Sequence, residues 1–224
     1  DWDADQNQVN VLKAAAKAAG DSFIAEAFSN SPPYFMTESG CSSGNTDAGK
    51  DNLRSDSYDA FACYMADVIE HWDKEGVVKF QSADPMNEPY TSYWGAYSNK
   101  QEGCHFDQGD SESKILVRLN QQLKNKGIDL IISAADETSI DTSISSYNKL
   151  SDDAKNAIGR IDTHSYSGSD RAGLQDLAES EHKNLWMSEV DGSVTAGTDA
   201  GEMASALGFA NLMKTDLNGM QPSA

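Results

Sequence analysis

The 224-residue chain is short of cysteine and of positive charge, and it has no long apolar run. Three cysteines, Cys41, Cys63 and Cys104, do not make the even set of a disulfide scaffold. Cys63 falls mid-helix and reads as a free buried thiol. Cys41 and Cys104 lie in Gly/Ser-rich loops, where their pairing is open; a bond between them would fit an oxidising compartment. Lys and Arg number 17 against 36 Asp and Glu, a formal net charge of −19. Such a chain repels nucleic acid and anionic membrane, which leaves neutral or cationic partners. No apolar stretch approaches the roughly 18 residues of a membrane span. No secretory leader is visible, and from the abrupt start at Asp1-Trp2-Asp3, directly before a helix, the expectation is that the natural N-terminus is missing. The phosphate signatures G-x-G-x-x-G and G-x-x-x-x-G-K-[ST] are absent. No two histidines are spaced as metal ligands and the cysteines form no zinc set, so neither a metal nor another cofactor is implied.

What is present is a repeated rhythm of helix, glycine, strand and polar loop. Asp3 or Asp5 caps a helix bearing Val9, Leu12, Ala16 and Ala19, which Gly20 stops. A strand over Phe23–Phe28 and a polar loop over Thr37–Ser55 follow. Tyr58, Phe61, Ala62, Met65, Val68, Ile69 and Trp72 line one face of a second helix, which Gly76 ends. The next strand is expected at Val77–Phe80, and the long loop from Tyr90 to Asp110 comes after it. A third helix groups Ile115, Leu116, Leu119 and Leu123 and stops at Gly127. Ile128–Ser133 reads as a strand buried on both faces. A short helix over Asp152–Ile158, strands at Arg160–Tyr166 and Leu185–Glu189, a weak helix with Leu174 and Leu177 between them, and a last helix over 200–217 complete the pattern. Alternation of this kind means an α/β fold with a parallel sheet. An open sheet would carry a phosphate turn, so a (β/α)8 TIM barrel is favoured. Such a barrel needs eight strands and ~250 residues; the five strands here make an incomplete barrel, lacking strands at both ends.

Two of the five prolines, Pro85 and Pro89, stiffen the loop Asp84-Pro85-Met86-Asn87-Glu88-Pro89 beyond the second strand. Glu88 is thereby fixed just past a strand's C-terminal end, where parallel barrels place their chemistry. Glu189 closes another strand in the same way. Two such carboxylates can supply the acid and the nucleophile that acetal cleavage requires. The charge on one is expected to raise the pKa of the other. Asp136 and Glu137 also end a strand and read as loop solvation or rim contacts rather than catalysis. His164 is open between a structural and a site role, and His71 reads as structural. Tyr93, Trp94 and Tyr97, in a polar loop, suit a sugar-stacking platform at the rim.

The runs Ala27-Phe28-Ser29-Asn30-Ser31-Pro32-Pro33-Tyr34-Phe35-Met36, Asp84 to Pro89 and Met187-Ser188-Glu189-Val190 together resemble glycoside hydrolase family thirty, in the glutamate-paired barrel clan. The Gln101-Glu102-Gly103-Cys104-His105-Phe106 loop is similar to the endo-β-1,6-galactanase branch. The resemblance implies that the chain covers about strands three to seven of one catalytic barrel, residues 1–224 being its central part. The first two strands, the last strand and an accessory β-sandwich would lie outside it. It also implies a secreted, retaining O-glycosyl hydrolase acting on polysaccharide, with Glu88 as acid/base and Glu189 as nucleophile. Asn87 would hold the sugar 2-hydroxyl, Ser29 and Asn30 would line the same subsite, and Tyr166 or His164 would orient Glu189. A xylanase, a β-1,6-glucanase or a non-catalytic sugar-binding barrel is the alternative.

Overall fold

The computed structural model describes residues 2–191 and 201–224. Five parallel strands, β1 (Glu26–Phe28), β2 (Ser82–Asp84), β3 (Ile131–Ser139), β4 (Arg160–Ser167) and β5 (Asn184–Glu189), lie side by side in chain order. Seven helices accompany them: α1 (Gln6–Ala19), α2 (Tyr58–Lys74), α3 (Asp110–Lys126), α4 (Ile140–Lys149), α5 (Asp152–Ala157), α6 (Arg171–Ser180) and α7 (Met203–Gly219). The fold is an incomplete (β/α)8 barrel. Beyond α7 the last residues run along β5, with Ser223 N–H donating to Leu185 O at 2.8 Å and Met187 N–H to Ala224 O at 3.0 Å.

Three strands begin three or more residues later than their apolar sequence suggests, and for one reason: at the expected start of β1, Phe23 N–H donates back to Gly20 O at 3.1 Å. Val77 and Val78 N–H donate back to Trp72 O, and Ile128 N–H to Leu123 O, so these residues close the preceding helices. A backbone donor used in a helix cap is lost to a ladder. Pairing starts only at Glu26, Ser82 and Ile131. At its other end β3 continues to Ser139, through a bulge at Asp136 with φ 52°.

Alternation along the strands sorts two environments. Ala83, Ile132, Ala134, Ile161 and Leu185 join Phe61, Leu116 and Leu119 in the apolar layer between sheet and helices. Each such buried Leu, Ile or Phe contributes roughly 1.5–3 kcal/mol. The alternate positions, Glu26, Ser82, Asp84, Ser133, Arg160 and Asp162, hydrogen-bond to one another on the opposite face, the barrel interior. β3 is therefore not apolar on both faces, as its first residues suggested.

Helix α4 has no counterpart in the sequence pattern, because Ser143 and Ser146 occupy two of its four buried positions. Its start is marked by Ser139, whose hydroxyl accepts from Thr142 N–H at 3.2 Å. Asp5 does cap α1, but in the left-handed region and without a side-chain bond. Cys63 is only half-buried, with its thiol 3.6 Å from Asp67 Oδ2, and Cys41 and Cys104 are both free thiols. His71 packs as a structural residue, stacked on Trp2 at 3.8 Å between ring centres.

Candidate active site

The loop after β2 is built backwards from its hydrogen bonds. Asp84 Oδ1 accepts from Met86 N–H at 3.1 Å and turns the chain. Glu88 then adopts φ 45°, a conformation that costs a non-glycine residue roughly 1–3 kcal/mol. Its backbone is held from three sides. Its N–H donates to Asp136 O at 2.9 Å, and its carbonyl accepts from Trp94 Nε1 at 3.0 Å and Thr91 Oγ1 at 3.2 Å. The result points the Glu88 carboxylate at β4, where Oε1 accepts from His164 Nδ1 at 3.0 Å and Oε2 from the Tyr93 hydroxyl.

Glu189, at the end of β5, accepts from the Tyr166 hydroxyl at 3.0 Å and lies 3.9 Å from His164 Nδ1. One carboxylate oxygen each of Glu88 and Glu189, together with a His164 ring nitrogen, fall within 4.8 Å of one another. Glu88 and His164 are buried, whereas the Glu189 carboxylate opens to solvent.

Electrostatics here run opposite to the sequence expectation. Burial alone would raise the Glu88 carboxyl, but hydrogen bonds from His164, Tyr93 and Thr138, with the charge of His164, hold it below the ordinary range. Burial would likewise lower His164, yet Asp136 and Glu88 bind its ring and raise it to about 10. His164 is thus an imidazolium at neutral pH, bonded through Nε2 to Asp136 Oδ1 at 3.2 Å. The neighbouring histidine cation, rather than a second carboxylate, decides the state of Glu88.

The other sequence candidates are distributed unevenly. Asn87 is buried, with neither its Oδ1 nor its Nδ2 hydrogen-bonded among the described residues. Ser29 N–H donates to Asp84 O at 3.0 Å, which places Ser29 beside the start of the acid loop. Ser29 and Asn30 border a cavity shared with Phe28, Tyr34 and Glu102, and neither Glu88 nor Glu189 lines it. Trp94 corrects the platform expectation: it is 2% exposed, bonds the Glu88 carbonyl, and packs so tightly that a Cβ on Gly103 would stand 2.2 Å from its ring. Tyr93 and Tyr166 remain partly exposed. Gly40-Cys41-Ser42-Ser43-Gly44 has the letters of a nucleophile elbow, but it lies in the loop before α2 and not at a strand-to-helix turn.

Asp136 and Glu137 are also corrected, since both are buried. Glu137 anchors the acid loop from beneath, accepting from Tyr90 N–H at 3.1 Å and Ser146 Oγ at 2.6 Å. Against it lies buried Glu112 of α3, whose oxygens have no hydrogen-bond partner as a carboxylate. Burial first, then the charge of Glu137, push Glu112 up to about 9, so it stays a neutral acid. Burial likewise lifts Glu137, to about 7. A carboxyl raised on folding confers stability that is full below its unfolded pKa and is lost as pH climbs through the folded value. Wild type should therefore lose stability between about pH 4.5 and 9 in a way that Glu112→Gln does not. The variant's melting temperature relative to wild type is expected to rise by ~5–10 °C from pH 5 to pH 9. Thermal unfolding followed by circular dichroism checks this; a gap independent of pH would contradict a neutral, buried Glu112.

Residues 1–176 match the family model described as O-Glycosyl hydrolase family 30. The chain belongs to O-glycosyl hydrolase family 30. Among its relatives, an endo-beta-1,6-galactanase of Hypocrea rufa is 36% identical over 198 residues, 88% of this chain and 40% of that protein. An exo-beta-1,6-galactobiohydrolase of Bifidobacterium longum subsp. longum is 32% identical over 244 residues, 87% of this chain and 16% of that protein. The family 30 chain thus spans less than half the length of either. By structure it is similar to the family 30 subfamily 8 xylanase Xyn30A of Clostridium acetobutylicum, with TM-score 0.76 and 17% identity over 100% of this chain and 51% of that one. At that identity the likeness speaks for the fold alone.

Proposed function

We propose that this chain carries the reaction centre of a retaining glycoside hydrolase acting on β-1,6-linked galactan, with Glu88 as acid/base and Glu189 as nucleophile. The observation that carries this reading is the approach of the two carboxylates to within 4.8 Å. Retaining enzymes hold theirs about 5–5.5 Å apart, and inverting ones about 6.5–9.5 Å to admit a water. The buried, unpartnered Asn87 side chain suits a sugar hydroxyl, since an amide left so would otherwise cost about 1–3 kcal/mol. A bond to the 2-hydroxyl would strengthen in the transition state. Tyr93 and Tyr166 border the same space as hydroxyl donors to the two glutamates. Ser29 and Asn30 would approach the sugar from β1.

The galactan assignment rests on the two relatives, whose names both specify β-1,6-linked galactose polymers. Arabinogalactan side chains contain that linkage and lie outside cells, so secretion follows as part of the reading. Five strands form only the central part of a barrel, and the remainder would come from flanking sequence. The test uses the parent-length enzyme on de-arabinosylated arabinogalactan, xylan and β-1,6-glucan. Release of β-1,6-linked galacto-oligosaccharides from the first alone is expected. Cleavage of xylan or β-1,6-glucan instead would keep the glutamates and discard the substrate. Binding without cleavage, unchanged by Glu88→Gln, would establish a sugar-binding barrel.

A further inference from the structure

Asp136 makes three contacts that the reaction scheme above does not use. Its backbone carbonyl accepts the N–H of Glu88 at 2.9 Å. Its Oδ1 accepts the hydroxyl of Ser188, the residue before Glu189, at 2.6 Å, and faces His164 Nε2 at 3.2 Å. The residue sits in a bulge at φ 52°, a conformation that persists only where its surroundings over-determine it. One buried side chain thus ties together the loop of Glu88, the strand of Glu189 and the histidine between them.

We propose that Asp136 is the positioning residue of this site, clamping His164 as a cation against Glu88 so that the proton for the leaving group is stored on the His164–Glu88 pair. The proposal deepens the hydrolase reading and rests on it. Every neighbour of the ring fits this charge. Glu88 faces it from the β2 loop, Asp136 from β3 and Glu189 from β5, while Tyr166 of β4 lies at 5.8 Å between ring centres. Asp84 and Asp162 bring carboxyl oxygens within 4.8 Å of Asp136. Burial, then the charges of Asp136, Asp162 and Glu26, hold Asp84 well above the ordinary range. That direction favours the protonated form of Asp84 beside Asp136. The cation recorded closest along this network, Lys100, has its Nζ 4.9 Å from the centre of the Tyr93 ring, and the ion pairs of the His164 ring are all with carboxylates.

The proton transfers balance as follows. In glycosylation the Nδ1–H bond of His164 breaks and its proton passes to Glu88, which delivers a proton to the glycosidic oxygen. The C–O bond breaks with its electron pair going to that oxygen, and Glu189 forms the glycosyl ester. His164 remains as the Nε2–H tautomer, bonded to Asp136. In the second step a water oxygen bonds to the anomeric carbon, the ester C–O bond breaks with its electron pair returning to Glu189, and the water proton passes through Glu88 to Nδ1. A Glu88 held below the ordinary carboxylate range would hold no proton at neutral pH on its own, and the pair resolves this.

The direct test is a 15N NMR titration of the imidazoles of the parent-length enzyme, with His164 assigned by its loss in His164→Gln. In wild type the His164 signal is expected to stay that of an imidazolium through pH 8. In Asp136→Asn it should titrate at least one pH unit lower. Asparagine tolerates the left-handed conformation and keeps an acceptor for Ser188, so the variant changes charge more than geometry. Titration of wild-type His164 near pH 6.5 would overturn the proposal without reference to any variant. In the parent-length enzyme, the alkaline limb of kcat/KM on galactan should move down by the same amount in Asp136→Asn, while kcat/KM on an aryl galactoside with a good leaving group, which needs no proton, should show no such limb. An unmoved limb in an active enzyme defeats this inference alone. Failure of wild type to cleave any substrate defeats the hydrolase reading instead.

Discussion

Glu189→Gln is expected to lower kcat on β-1,6-galactan at least ~10,000-fold, equivalent to about 5.5 kcal/mol of transition-state stabilisation, with KM little changed. The substitution keeps the shape of the side chain and an oxygen that can accept from Tyr166. It removes the negative charge opposite the anomeric carbon and the oxygen pair that forms the ester. Loss in kcat rather than KM follows because that charge acts on a cation which exists only near the transition state. Glu88→Gln should differ in kind. It stops hydrolysis of the polysaccharide, yet an aryl galactoside with a good leaving group should still glycosylate Glu189, giving a burst of phenol and then a slow steady state. Added azide should restore turnover in this variant and yield a β-glycosyl azide, since an anion needs no general base. A Glu189→Gln enzyme that kept more than a few per cent of wild-type kcat would falsify the assignment of nucleophile.

The two glutamates were legible in the sequence because rigid punctuation marks them: a proline on either side of the Asn87-Glu88 pair, and a short apolar strand running into Glu189. The alternation of helices and strands was legible for the same reason, glycines and apolar spacing being local signals. What escaped was set by the third dimension. Asp136 looked like a rim residue because it follows small alanines at an apparent strand end. Its burial depends on β3 extending through a bulge to pair with β4. Trp94 looked like an exposed platform because its loop is polar, whereas its indole fills the space above Gly103. The interior polar row, Glu26, Ser82, Asp84, Ser133, Arg160 and Asp162, was invisible because its members come from four strands and each reads alone as a surface residue.

That row supports the second large effect, on stability. Arg160 lies at the N-terminal end of β4, buried, and its guanidinium binds Asp162 twice at 2.6 Å, Ser82 Oγ at 3.2 Å and the Glu26 carboxylate. Its Cζ also lies 3.7 Å from the centre of the Trp186 ring, so it has both charge and packing partners. Removing one member of a buried ion network leaves the others desolvated and unpaired, at a cost of roughly 3–5 kcal/mol. Arg160→Met, which keeps the length and apolar bulk, is expected to destabilise the chain by that amount in urea unfolding. The loss should depend on pH. Burial already lifts Asp162 to about 7 against the pull of Arg160, and without the arginine it rises further. Wild-type Asp162 ionises near 7 and the variant's only at higher pH, so the deficit should grow as pH climbs above about 7 and the variant should be nearer wild type at pH 5 than at pH 9. Combining Arg160→Met with Asp162→Asn and Glu26→Gln should recover more than half of the loss, because no unpaired charge remains. An equal deficit in the single and triple variants would mean that Arg160 contributes through its packing on Trp186 rather than through the charges it joins.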